Sequence, residues 1–305
     1  MILDILTLSQ KQINKVGKRF RDAIYDENDF EILEEFKKSY DDLLIEHTSK
    51  ISKDLNNLGA NYVMAGRLKR TSSIIRKLQR PNNKGMDLTR MSDIAGTRII
   101  VKNLDDQNKI INLIKENYNV EKEYNYVESN QNYKSIHIII KEDQYKYFEI
   151  QVRTLAQQTW ADESEEYGEQ AKQGFMSGEI KHYLTLLSDL MYKIDKGIKI
   201  DLDQINNHLY DQKTPIKGKY QIIQNEFKMK FNSFETPNYY LIVYDSFDST
   251  LISKDIFEAN EKDKIFELYK YKSEILDENR YEIIFFVSSL GDSVLRISHP
   301  RFFMR

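Results

Sequence analysis

Apolar residues recur at helical spacing through the first 58 residues of the chain. The clearest series is Ile32, Leu33, Phe36, Tyr40, Leu43, Leu44 and Ile51. Residues 4–58 contain no proline, and Gly17 is their single glycine. Because helices disfavour both residue types in their interiors, we expect a mostly helical N-terminal region.

The hydrophobic pattern changes at Asn61. A short apolar piece, residues 62–65, ends at Gly66, and a basic helix-like segment, GRLKRTSSIIRKLQR, runs on to Pro81. Runs rich in β-branched residues predict strands at 97–102, 119–125, 134–141 and 146–153. Helical periods predict helices at 105–118, 155–170 and 178–209. The end of the chain predicts a strand at 239–245, a helix at 255–271 and a strand at 281–288.

This order of elements predicts an α/β (α+β) fold, in which a mixed sheet is packed with helices. We expect an N-terminal helical region at 1–60, a core domain at 61–212, a linker at 213–237 and a small C-terminal α/β unit at 238–305. The C-terminal unit carries no recognisable motif. Autoinhibition, binding of an antitoxin-like or other regulatory partner, homo-oligomerisation and simple extension of the core all remain open for it.

Composition excludes several classes of protein. The 305 residues include 45 basic and 48 acidic residues, a net charge of −3, and no cysteine. The absence of cysteine excludes disulfides and thiolate zinc sites, and it fits a reducing, cytoplasmic setting. No apolar run reaches 18 residues and no export signal is recognisable, so we expect no membrane partner. The balanced charge argues against a generally basic nucleic-acid binder.

The segment from Gly66 to Arg80 holds six basic residues and no acidic one. On a helix, Ser73, Lys77 and Arg80 would share a face, together with the charges of Arg67 and Lys69 nearby. Such a face can hold a polyphosphate, because Lys supplies point charges, Arg a planar fork and Ser a hydroxyl donor. A solvated basic helix face explains the same charges.

Two acidic residues stand beside predicted strands. Asp93, in MSDIAGTRII, precedes a buried strand, and Gly96 would permit a close backbone approach. Glu149, in YFEIQVRT, shares a strand face with Gln151 and Arg153. An acid in the position of Asp93 suits a Mg²⁺ ligand beside phosphates. The polar face of the strand that carries Glu149 indicates the floor of a cleft rather than core. A turn aspartate and an edge strand with one wet face are the structural alternatives.

A third motif, Asn132 to His137, opens a strand with an aromatic residue that could stack on a base. Tyr133, Ser135 and His137 would alternate onto one side of it. The sequence lacks the Walker, GxGxxG, GxSxG and HExxH motifs, and its five histidines are scattered. We therefore expect no zinc site.

Taken in order, these segments resemble the synthetase domain of the RelA/SpoT family of alarmone synthetases, from about Tyr62 to Tyr192. The matching runs are GRLKRTSSIIRKLQR, SDIAGTRIIV, NYKSIHIII and FEIQVRTLAQQTWA. The resemblance implies a nucleotidyltransferase-like mixed sheet and a stand-alone synthetase without a hydrolase domain. It implies Mg²⁺-dependent transfer of the terminal pyrophosphate of ATP to the ribose 3′-hydroxyl of GDP or GTP.

The resemblance also assigns roles to residues. The ATP-binding set would be Arg67 and Arg98, which stack on adenine, and Lys69, Ser73, Lys77 and Arg80, which hold phosphates. The metal and catalytic set would be Asp93 and Glu149 as Mg²⁺ ligands, with Glu149 also taking the proton of the attacking hydroxyl and Gln151 in support. The acceptor set would be Tyr133, which stacks on the base, with Lys134, His137 and Ser164.

The acceptor side departs from the family pattern. Ser129 stands where a Lys is common, Asn132 where Gly is common, and Ser164 where a guanine-reading Glu is expected. Transfer to the 3′ end of tRNA or to an adenine nucleotide therefore stays open. The tRNA alternative is favoured by a basic stretch in the linker, Lys213, Lys217, Lys219, Lys228 and Lys230. A non-catalytic nucleotide sensor is the third alternative, which the intact Asp93 and Glu149 disfavour.

Overall fold

The computed structural model describes residues 8–126, 135–142, 146–161, 164, 178–199, 238–248, 250–277 and 280–288. Within these ranges no helix has the length and apolar character needed to cross a membrane. The residues described form a mixed sheet packed with helices, as the sequence predicts.

Three helices form the N-terminal region: α1 (Gln10–Arg21), α2 (Glu27–Lys38) and α3 (Asp41–Asn57). Ser9 and Asp26 form capping boxes at the starts of α1 and α2. Each of these side chains accepts a hydrogen bond from the backbone N–H of the third helical residue, whose own side chain accepts one from the backbone N–H of Ser9 or Asp26. The helical pattern predicted for this region is confirmed.

In the described part of the chain, eight strands form one sheet, in the order β3-β4-β5-β2-β1-β8-β6-β7. They are β1 (Val63–Leu68), β2 (Ala95–Val101), β3 (Val120–Asn125), β4 (Ile136–Lys141), β5 (Tyr147–Thr154), β6 (Asn238–Asp245), β7 (Thr250–Phe257) and β8 (Tyr281–Ser288). Strands β2 and β5 run parallel, whereas the other pairs are antiparallel. Four more helices are α4 (Thr71–Leu78), α5 (Leu104–Asn117), α6 (Gly178–Asp195) and α7 (Lys262–Ile275).

The two faces of the sheet differ in chemistry. On one face, alternate strand residues such as Ile99, Ile150 and Phe285 join the main hydrophobic core with α1–α5 and α7. On the opposite face of the central strands the register places Arg67, Gly96 and Glu149 side by side. The next row holds Ala65, Arg98, Gln151 and His137. We call this opposite face of β4, β5, β2 and β1 the polar face.

Strand β5 lies between β4 and β2, so it is not an edge strand. The edge-strand explanation for its polar residues is therefore excluded. Strands flank β5 on both sides, and the Glu149 side chain is only 16% exposed. Polar side chains with so little access to water need hydrogen-bond partners or a ligand.

The basic segment is shorter as a helix than the sequence predicts. Strand β1 continues through Gly66, Arg67 and Leu68, and helix α4 covers Thr71–Leu78 alone. The expected helical face that joins Arg80 to Ser73 and Lys77 is wrong, because Arg80 has extended backbone angles beyond the helix end. Pairing of β1 with β2 on one side and β8 on the other outweighs local helix propensity there.

Two further element predictions need correction. Helix α6 ends at Asp195, because Gly197 takes a positive φ of 65° and closes the helix, whereas the sequence pattern ran on to 209. Residues 255–257 belong to strand β7, which the sequence reading missed, and α7 begins at Lys262. Residues 155–161 are helical as predicted, and residues 165–177 lie outside the described part.

Strands β6–β8 continue the same sheet, since β8 pairs with β1. The strands of the predicted C-terminal unit thus extend the core rather than forming a second sheet. The domain boundaries at 61, 213 and 238 stay a prediction.

Candidate functional site

Asp93 occupies the turn that leads into β2, as the sequence predicts. Its two carboxylate oxygens each accept from an ammonium group: Lys69 Nζ lies 2.9 Å from Oδ2 and Lys77 Nζ lies 2.8 Å from Oδ1. The backbone N–H of Lys69 also donates to the carbonyl of Ile94, at 2.7 Å. The carboxylate of Asp93 thus links the C-terminal ends of β1 and α4 to the N-terminal end of β2.

Burial and neighbouring charges act in opposite directions on the pKa values of this cluster. Burial by itself raises the pKa of Asp93, but the charges and hydrogen bonds of Lys69 and Lys77 outweigh it and hold that pKa below its ordinary value. Burial lowers the pKa of Lys69, although Asp93 opposes this. The cluster brings two basic side chains to one carboxylate, an arrangement that favours binding of a further anion.

Glu149 lies directly opposite Gly96 across the parallel β2–β5 pair. A Cβ atom added at Gly96 would lie 2.6 Å from the carbonyl oxygen of Glu149 and 3.3 Å from its Cβ. Only glycine therefore allows the two strands to approach this closely here. This confirms the role that the sequence predicted for Gly96.

Hydrogen bonds fix the carboxylate of Glu149 from two sides. His137 Nδ1 lies 2.9 Å from Oε1, and Gln151 Nε2 donates to Oε2 at 2.8 Å. Burial raises the pKa of Glu149 and so does the charge of Asp93, but the bonds from His137 and Gln151 hold the pKa below its ordinary value. Glu149 is ionised at neutral pH, and the two acidic side chains lie close enough for one to influence the other.

The two arginines predicted to contact adenine lie in adjacent rows of the polar face. Arg98 Nε donates to Gln151 Oε1 at 3.3 Å, so Gln151 links it to Glu149. Arg67 lies in the row of Gly96 and Glu149, and its side chain is 49% exposed. Arg67 thus presents a guanidinium plane to solvent at the rim of the polar face.

Helix α4 brings Ser73 and Lys77 to the same side of the site. Ser73 is half-buried and accepts from Arg76 at 3.5 Å, while Lys77 reaches Asp93. Arg80 is exposed and lies past the helix. The structure therefore brings Lys69 and Lys77 to the acidic centre and leaves Arg80 apart from it.

The acceptor set is only partly described. Tyr133 and Lys134, together with Ser129 and Asn132, lie outside the described residues. His137 holds Glu149 as stated above, which the sequence did not predict. Ser164 is helical and half-buried.

Sequence reasoning missed two features beside the site. The rings of Tyr124 and Tyr126 stack at 5.9 Å, and Tyr126 meets the ring of His137 edge-on at 5.2 Å. Their i, i+2 spacing, at the end of β3 and just beyond it, is a signal that could have placed them on one side. The second feature is Glu282 of β8, which contacts both Arg67 and Arg70. Local sequence gave no signal for that contact.

Two carboxylates at adjacent strand ends suit Mg²⁺. This ion is commonly held by one or two protein carboxylates together with substrate phosphates and water. Each oxygen of Asp93 and Glu149 accepts one hydrogen bond, so each keeps a second lone pair for a cation. Among the described residues no group of three or more acidic or histidine side chains could hold a metal by protein ligands alone. The donor set therefore fits an ion shared with phosphates.

Comparison with known proteins identifies part of the chain. Residues 66–172 match the family model described as the region found in RelA/SpoT proteins. The chain is 32% identical over 112 residues to the GTP pyrophosphokinase YwaC of Bacillus subtilis, covering 31% of this chain and 52% of that protein. It is 30% identical over 183 residues to a guanosine-3′,5′-bis(diphosphate) 3′-pyrophosphohydrolase of Spiroplasma citri, covering 57% of this chain and 24% of that protein.

The chain thus spans about half the length, or less, of the curated relatives it matches. Among solved structures, the small alarmone synthetase 1 of Bacillus subtilis matches with a TM-score of 0.47 and 23% identity, over 54% of this chain and 93% of that one. Residues 66–172, which match the family model, contain Asp93, Glu149 and the residues that hold them. The chain carries, within residues 66–172, a domain of the RelA/SpoT family.

Proposed function

We propose that this protein is an ATP-dependent pyrophosphokinase, which transfers the terminal pyrophosphate of ATP to the ribose 3′-hydroxyl of GDP or GTP and so makes (p)ppGpp. The observation that carries the proposal is the pair Asp93, in the turn before β2, and Glu149, on the parallel strand β5, with Lys69 and Lys77 bonded to Asp93. The name of the relative YwaC, a GTP pyrophosphokinase, supports the reaction class.

The donor half of the site would bind ATP through charge and stacking. Lys69 and Lys77 lie at the acidic centre, where the phosphates would bind, and Ser73 would donate its hydroxyl from the same helix as Lys77. Lys69 and Lys77 are held by Asp93, so little side-chain entropy remains to be lost on binding. Arg67 and Arg98 would receive the adenine ring between planar guanidinium groups.

Asp93 and Glu149 would hold Mg²⁺. When bound, the ion would supply positive charge that offsets the negative charge developing on the leaving group. The lysines supply part of the same neutralisation, so the protein positions charge around the phosphates before the reaction begins.

Glu149 would act on the acceptor hydroxyl. The proton of the 3′-hydroxyl passes to a carboxylate oxygen of Glu149, and the 3′-oxygen forms a bond to the β-phosphorus of ATP. The bond from that phosphorus to the α,β-bridging oxygen breaks, and AMP leaves. His137 and Gln151 keep the carboxylate ionised and oriented, which matters because this chemistry depends chiefly on positioning.

Substitution of the base tests the proposal. Glu149→Gln keeps the size of the side chain but removes its negative charge, so we expect transfer to fall by about 10²–10⁴-fold. Glu121→Gln, an exposed glutamate on β3, is the matched control and should leave transfer unchanged. Full transfer activity of Glu149→Gln would contradict the role of Glu149. A cellular effect that persists in Glu149→Gln, with no transfer by the wild type, would favour a non-catalytic sensor.

The acceptor is the open part of the proposal. Ser164 replaces the acidic base reader that the family pattern expects, which favours considering an adenine nucleotide or the tRNA 3′ end. The basic residues Lys213 to Lys230, which bear on tRNA, lie outside the described part of the chain. Supplying each acceptor in parallel distinguishes these reactions, and a steep salt dependence of RNA binding would support tRNA.

A further inference from the structure

A buried glutamate outside the family-matched region contacts the donor half of the site. Glu282 lies near the start of β8, and its side chain is 5% exposed. Its Oε1 lies 3.1 Å from Nη1 of Arg70 and accepts from the hydroxyl of Ser246, also at 3.1 Å. Its Oε2 lies 3.8 Å from Nη1 of Arg67. One carboxylate therefore holds two arginines of the β1–α4 segment.

The sheet explains why these residues meet. Strands β1 and β8 pair antiparallel, so the end of β1 lies beside the beginning of β8. Arg67 is the penultimate residue of β1, and Arg70 caps the start of α4, the helix that carries Ser73 and Lys77. Glu282 thus acts on both the arginine expected to stack on adenine and the helix expected to bind phosphates.

The chemistry favours a positioning role. An arginine side chain has several rotatable bonds, and an ion pair with a buried carboxylate restricts them before a ligand arrives. Arg67 remains half exposed while it is held, so the face of its guanidinium stays accessible. The contact with Glu282 therefore orders Arg67 without covering it.

We propose that Glu282 is a positioning residue for the donor nucleotide, so that the strand–helix–strand unit at the C-terminal end of the chain completes the ATP site. This inference rests on the proposed function. It predicts that ATP recognition depends on residues outside 66–172.

The test is Glu282→Gln in the full chain. Loss of a charge-assisted contact to Arg67 and Arg70 should weaken binding of the unreactive analogue α,β-methylene-ATP by about tenfold, measured by calorimetry. The KM for ATP should rise by a similar factor, whereas kcat and the KM for the acceptor should stay within about twofold. A change in kcat with an unchanged KM for ATP would overturn the proposal.

A matched control and a double-mutant cycle separate positioning from general destabilisation. Asp255→Asn breaks the 2.8 Å ion pair with Lys272 in the same C-terminal unit, and it should leave ATP binding unchanged. In an Arg67→Met background, Glu282→Gln should have a clearly smaller effect than in the wild type, because its partner is already gone. Fully additive effects would overturn the role of Arg67.

A second variant covers the case in which Glu282→Gln does not fold. Ser246→Ala removes one hydrogen bond to the same carboxylate oxygen and should raise the KM for ATP by about two- to threefold. An unchanged KM there would overturn the inference.

The failure of this inference is distinguishable from failure of the proposed function. If the wild type transfers pyrophosphate and Glu282→Gln binds the analogue equally well, the inference is wrong and the function stands. If the wild type binds the analogue but transfers to no acceptor, the proposed function fails, while the binding comparison still decides the role of Glu282. If the wild type does not bind the analogue, both are wrong.

Discussion

Replacing Gly96 by alanine tests how closely β2 and β5 must approach beside Glu149. The new Cβ would lie 2.6 Å from the backbone carbonyl oxygen of Glu149, whereas ordinary contacts begin at 3.4 Å. The strands would have to separate by about 0.8 Å, the difference between these distances. Both are central strands packed on the main core, so a side-chain rotation cannot relieve the clash.

The expected cost is that of overpacking a tight interior, about 1–3 kcal/mol in the free energy of unfolding. With a urea slope of about 3 kcal/mol/M, a loss of 2 kcal/mol moves the unfolding midpoint down by roughly 0.7 M. The same displacement shifts the carboxylate of Glu149, and we expect a fall in kcat of about 10–100-fold.

Urea unfolding followed by circular dichroism, with transfer kinetics on the same samples, measures both effects. Gly178→Ala is the matched control, because a Cβ at this exposed first residue of α6 meets nothing within 4 Å. That variant should keep its activity and unfold at the same or a slightly higher urea concentration. Wild-type stability and activity in Gly96→Ala would refute the argument that a close approach of the two strands places Glu149.

Three further predictions concern other parts of the molecule. Burial raises the pKa of the Asp41 carboxyl to about 6 in the folded protein, against the opposing charges of nearby lysines. Proton binding by Asp41 therefore stabilises the folded protein fully below pH 4, and this stabilisation is lost as the pH rises through 6. Asp41→Asn should therefore raise the unfolding free energy at pH 8 by on the order of 2 kcal/mol and change little at pH 4, as urea titrations at both pH values would show. Lys77→Met should raise the KM for ATP by about tenfold or more, because Lys77 contacts Asp93. Arg80→Met should raise that KM less, because Arg80 is exposed and lies beyond α4. Equal effects of the two substitutions would show that Arg80 also binds the phosphates. Trp160→Phe removes the 2.9 Å bond from Nε1 to a carbonyl of α6 and should lower the unfolding free energy by about 1–3 kcal/mol in the same assay.

The acidic centre could be predicted from sequence because its signals are local. Asp93 and Gly96 stand beside a run of β-branched residues, and the alternation around Glu149 shows which face it shares with Gln151. Both patterns depend only on the period of a strand. The pairing of β2 with β5, which places Glu149 opposite Gly96, was not predicted from the sequence.

The errors have a common physical cause, which is long-range pairing. The local sequence around Arg67 predicts a basic helix. In the structure Arg67 belongs to strand β1, which pairs with β2 on one side and with β8 on the other. The sequence did not predict strand β7, because the polar residues Ser253 and Asp255 break the alternation of apolar side chains that marks a strand. In the sheet, both side chains accept hydrogen bonds from Lys272 of α7. The contact of Glu282 with Arg67 joins positions far apart in sequence, so no local pattern could reveal it.

The central claim is that Asp93 and Glu149 form the centre of a pyrophosphate transfer. The measurement that tests it most directly incubates the protein with γ-labelled ATP and Mg²⁺, with GDP, GTP, adenine nucleotides and tRNA offered in separate reactions. Glu149→Gln is run beside the wild type. We expect label on GDP or GTP with the wild type and a loss of about 10²–10⁴-fold with Glu149→Gln. Label on tRNA or an adenine nucleotide would contradict the proposed acceptor, and no label on any acceptor would contradict the claim itself.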